Sequence, residues 1–100
     1  MTITYDEALR AHMAKKSMTT IAVEVISTQN SDLEITELYV HLLTDKRAAY
    51  FKEKKGFRAV KTELGEVLLP PYHLVYDQTI RFFLKKFLCF HGVGYEGIRL

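Results

Sequence analysis

The run "TTIAVEVISTQNSDLEITELYVHLL", residues 19 to 43, constrains the fold more than any other part of the chain. Two stretches rich in β-branched residues flank four turn-prone ones, "QNSD", so the pattern predicts a long strand, a turn and a second long strand. Alternation puts Ile21, Val23 and Val25 on one face of the first strand and Ala22, Glu24 and Ile26 on the other. In the second strand Leu33, Ile35, Tyr39, His41 and Leu43 share a face, and Leu38, Val40 and Leu42 share the opposite one. Both of its faces are apolar, which predicts a central position in a sheet.

The N-terminal stretch reads as a helix. Thr4 and Glu7 stand three apart before helix-favouring residues, the spacing of a capping box, so a helix is expected from about Tyr5 to Lys16. Tyr5, Ala8, Leu9, His12 and Met13 form its packed stripe, and Lys15 and Lys16 suit the negative helix end. "TDKRAAYFKEKK" offers a cap at Thr44 or Asp45 and good helix formers up to Gly56, which leaves a short helix and a basic loop both open. From Phe57 onward, Gly65 and Pro70-Pro71 divide the apolar residues into two or three short strands. "DQTIRFFLKKFLCFHG" fits two templates. A helix gathers Ile80, Phe83, Leu84, Phe87, Leu88 and Phe90; a strand, the better fit, puts Ile80, Phe82, Leu84, Leu88 and Phe90 on one face and Arg81, Phe83, Lys85, Phe87, Cys89 and His91 on the other. The glycine-rich end "GVGYEGIRL" suits an edge strand or a tail.

One hundred residues make about one domain, spanning 1–100, and nearly half of them are apolar with a quarter charged, which argues against disorder. One cysteine cannot form an intramolecular disulfide, the N-terminus has no apolar signal core, and no stretch is long enough to span a bilayer. Cytoplasmic location without membrane attachment is the expectation. The formal net charge of +2 is uneven: between Asp45 and Lys61 lie seven basic residues and two acidic ones. With Tyr50, Phe51 and Phe57 interleaved, Lys52, Lys54, Lys55 and Arg58 are the candidate contacts for an anion or a nucleic acid, although a solvated charged segment explains such a run more simply.

The C-terminal third is similar to the end of a family of very small proteins known for a Cys-Cys or selenocysteine motif, distant relatives of the HesB-like proteins of iron-sulfur cluster biosynthesis. The likeness rests on "LKKFL" (Leu84 to Leu88) followed by Phe90, and on "EGIRL" (Glu96 to Leu100). A fainter echo, "MTIT" followed by "DEAL", matches how these families open, with a short strand leading into a helix. The resemblance implies a cysteine pair near "STQNSD", where this chain has none, and three cysteine ligands for iron or a cluster in HesB-like proteins proper. A cluster is held by about four thiolates, so a chain with only Cys89 cannot supply them. The family's redox or cluster-carrying activity therefore does not carry over.

Cys89 and His91 are two apart and on a strand would point the same way, giving two ligands for zinc or iron. Iron, zinc or an iron-sulfur cluster would then need a site shared between subunits, or His12, His41 or His73 brought close by the fold. Cys89 beside Leu88 and Phe90 also fits a small buried apolar residue. His41 and His73, in "LYVHLL" and "PYHLVY", fit hydrogen-bonded core histidines, and Glu24 fits a solvent-facing charge. No phosphate-binding glycine loop precedes a helix.

The expected architecture is α+β: one N-terminal helix on a small antiparallel or mixed sheet, HesB-like. Apolar surface exceeding what one helix covers predicts a homodimer. The expected role is a non-catalytic interaction or structural protein with a protein partner; the alternatives are a metal or redox site completed by Cys89 and His91 across a dimer, and weak nucleic-acid binding through 46–61.

Overall fold

The computed structural model describes residues 1–30, 33–87 and 90–100. The order of elements is β1 (Thr2–Tyr5), α1 (Glu7–Lys16), β2 (Thr20–Asn30), β3 (Leu33–Leu43), α2 (Asp45–Lys54), β4 (Arg58–Lys61), β5 (Glu66–Leu69), β6 (Val75–Phe87) and β7 (Phe90–Arg99). The architecture is α+β with two helices, not one, and two sheets, not one. The first sheet has the order β1-β6-β7 and the second β3-β2-β5-β4.

Residues 20–30 and 33–43 form a long antiparallel pair, in register from Thr20↔Leu43 to Asn30↔Leu33, so Gln29 and Asn30 of the expected turn belong to the first strand. β5 adds in parallel beside β2, and β4 pairs antiparallel with β5. Thr4 belongs to β1, which runs parallel to β6 through Tyr5↔Phe82, and the Asp6 amide still donates to the Phe82 carbonyl. The helix therefore starts later than the capping-box spacing suggests: Asp6 is the N-cap, its Oδ1 accepting from the Leu9 amide at 2.8 Å. The "TDKRAAYFKEKK" segment is a helix capped by Thr44, whose hydroxyl accepts from the Arg47 amide at 3.3 Å.

Ile21, Val23, Val67 and Leu69 from the four-stranded sheet meet Leu9, Met13, Ile80, Phe82 and Ile98 in the main core. On the sheet's other face, Ala22, Leu43 and Leu68 pack under Ala48 and Phe51 of α2, with Phe57 alongside. β3 is thus an edge strand, paired among the described residues only with β2, not the central strand its sequence suggests. Both faces are apolar because layers cover both: Val40, with Leu38 and Leu42, faces the main core, and Leu43 faces α2.

Residues 78–87 and 90–91 belong to two different strands, not one. β6 ends at Phe87, β7 begins at Phe90, and the two pair antiparallel with Lys86 opposite His91. That reversal takes Phe90 off the face of Ile80 and Phe82 and leaves it 70% exposed. Gly97 adopts φ +94° beside a register shift in this pair, and a Cβ there would meet the Thr79 carbonyl oxygen at 2.4 Å, so only glycine fits.

Candidate functional site

Three of the four histidines, distant in sequence, line one groove. The groove, about 330 Å³ in volume, runs along the seam between β3 and β7, the border strands of the two sheets. His12 reaches it from α1, His41 from β3 and His91 from β7, together with Lys85, Tyr39 and Tyr95. Leu38, Val40 and Val93 supply apolar wall, and no carboxylate stands among the described lining residues. Such a cleft has the size and the mixture of apolar wall with few polar groups found in small-ligand sites.

The His12 and His91 ring centres are 5.4 Å apart with planes inclined at 32°. The His12 pKa lies below the ordinary histidine value, first because partial burial penalises the imidazolium, then because His91, Lys16 and Lys15 repel it. His41 is held differently: its Nε2 lies 2.5 Å from Glu24 Oε2, and its ring stacks on Tyr39 at 4.5 Å. Glu24 also accepts from Lys55 Nζ at 3.4 Å. The supposed solvent-facing charge in β2 is therefore a half-buried anchor for a histidine and a lysine. His73 is exposed, contrary to its expected place in the core.

His91 lies at the groove, while Cys89, its suggested co-ligand, lies outside the described residues. Among the described residues no three His, Cys, Asp or Glu side chains cluster closely enough to hold a metal ion. The structure brings His12 to His91, a pairing that sequence spacing does not signal, since 79 positions separate them. With one cysteine in the chain, a single subunit's donors do not fit an iron-sulfur cluster.

Two of the four basic side chains named as anion contacts have carboxylate partners. Lys52 Nζ reaches Glu66 at 3.1 Å, and Lys55 pairs with Glu24 and lies over the Phe51 ring. Lys54 and Arg58 are exposed. Of the interleaved aromatics, Phe51 is fully buried and Phe57 packs against it, which leaves Tyr50 facing solvent.

No family model matches this chain, and neither the curated proteins nor the solved structures yield a match. No helix among the described residues is long and apolar enough to cross a membrane.

Proposed function

We propose that this is a small cytoplasmic, non-catalytic binding protein whose ligand or partner segment occupies the groove between β3 and β7. The observation that carries this reading is the convergence of His12, His41 and His91 from three different elements on one cleft with no carboxylate among its described lining residues. Kinship with HesB-like proteins belongs to the proposal. Of the quoted stretches, Leu84 to Phe87 lie at the end of β6 and Glu96 to Arg99 in β7, the strand pair that borders the groove. Homodimerisation also belongs to it, through the exposed Phe90 beside His91 and the exposed Tyr39 on the opposite wall; a monomer in light scattering at high concentration would remove that part.

Gly92 supplies the direct test. It lines the groove, and a Cβ built on it meets nothing within 4 Å, so Gly92→Phe adds bulk at the β7 wall of the groove without a clash at the first side-chain atom. Native mass spectrometry of protein purified from its own cells without oxygen should show a bound mass on the wild type that Gly92→Phe lacks. The same bound mass on both, or none on either, would overturn the reading.

A further inference from the structure

We infer that His12 and His91 form a two-imidazole clip for a divalent transition-metal ion of the zinc, nickel and copper group, with the ion's remaining positions open to the groove. This rests on the groove being a binding site and names what binds there. A zinc–nitrogen bond of about 2.0–2.1 Å places each ring centre roughly 3.2 Å from the metal, and a tetrahedral angle then separates two ring centres by about 5.2 Å. The separation in the protein, 5.4 Å, matches the ring spacing that two imidazoles on one ion require. Helix α1 and strand β7 hold the two rings, so the spacing is set by tertiary packing and not by neighbouring positions in one element.

The chemistry of the donors selects the class of ion. Imidazole suits zinc, nickel and copper, whereas magnesium and calcium take oxygen donors, and the groove's described lining offers no carboxylate to them. Two protein ligands leave two tetrahedral positions for water or for a ligand in the cleft, the open arrangement that distinguishes an accessible metal from a structural one. Lys15, Lys16, Lys85 of the groove lining and Lys86 opposite His91 act against a cation here, but all four are exposed, where water and salt screen them. The ion is therefore an exchangeable one.

The probe is Zn²⁺ alone, titrated calorimetrically into chelator-treated protein, with the imidazole ¹⁵N resonances followed by NMR. The expected result is saturable binding that shifts the His12 and His91 nitrogens and weakens at least tenfold in His12→Gln and in His91→Gln. His73→Gln, at an exposed histidine away from the groove, should leave the affinity unchanged. Both groove imidazoles are at least partly exposed, so the variants should keep the wild-type thermal melt, which circular dichroism checks. Binding that survives either groove substitution, or falls equally with His73→Gln, overturns the clip. If Zn²⁺ does not bind while the wild type still carries a mass that Gly92→Phe loses, the metal assignment falls and the groove reading stands; if both signals are missing, both fall.

Discussion

Glu24 concentrates the local electrostatics of the four-stranded sheet in one side chain. It accepts from His41 and Lys55 with 19% of its side chain exposed, and the His41 side chain is equally covered. Glu24→Ala removes both partnerships and leaves His41 without its carboxylate, which should cost about 1–2 kcal/mol, the range for a half-buried charge-assisted bond discounted for solvent. Urea denaturation checks this, and a change under a few tenths would mean the pair is solvated in solution. His12 makes a pH-dependent contribution whose sign follows from its lowered pKa. Above the unfolded value of about 6.5 both states are neutral and no stability is lost; as pH falls below it the unfolded chain takes the proton first, so stability declines down to the folded pKa. The wild type should lose more stability than His12→Gln across that window. His91→Asn removes one repulsive neighbour but not the burial, so the His12 resonance should titrate closer to the ordinary value without reaching it. Glu24's position on the Ala22–Ile26 face of β2 was legible from alternation alone; its partners were not, because they come from β3 and from beyond α2.

At the scale of elements, α2 separates what periodicity can decide from what needs tertiary contacts. Its composition allows a helix or a basic loop, and what fixes the helix is Phe51, fully buried with Ala48 against Ala22, Leu43 and Leu68. Phe51→Ala should therefore destabilise the protein by about 3–5 kcal/mol, the range for emptying a buried phenylalanine site. A solvated loop would lose within about 0.5 kcal/mol, so thermal or urea unfolding distinguishes the two plainly. The strands 20–30 and 33–43 were readable because both are rich in β-branched and apolar residues and a turn-prone run separates them in sequence, although Gln29 and Asn30 of that run are paired in β2. β1 was not, since four residues carry too little pattern and the Thr4/Glu7 spacing imitates a cap; the parallel ladder to β6, nearly 80 residues away, overrides that local signal. The β6–β7 reversal hid for the opposite reason. Apolar and basic residues continue through 80–91 without a glycine or proline, so nothing in the local sequence marks where the chain turns back.

For the whole molecule, the groove exists because two sheets share a core without sharing a ladder. The main core joins β2 and β5 to β6, α1 and β7, while Tyr5 in the three-stranded sheet bonds Thr62, beside β4, at 2.6 Å, and Arg10 of α1 pairs with Glu63. Those ties close one end of the molecule, and at the other border β3 and β7 face each other with no ladder between them among the described residues. Single-sequence periodicity assigns faces within a strand but not which sheet borders meet, which is why the histidines looked scattered. The arrangement makes a prediction for backbone dynamics. Amides on the shielded strands, such as Ile21, Val23, Val67 and Phe82, should exchange with solvent only on global unfolding, whereas alternate amides of Leu38–Leu42 and of Val93–Tyr95 should exchange at least tenfold faster, as unpaired edge groups do. Amide exchange followed by NMR on dilute protein measures this directly. Uniform protection along β3 and β7 would mean that something covers the seam; if that protection fades on further dilution, the cover is a second copy of the chain, and the border strands are where two subunits meet.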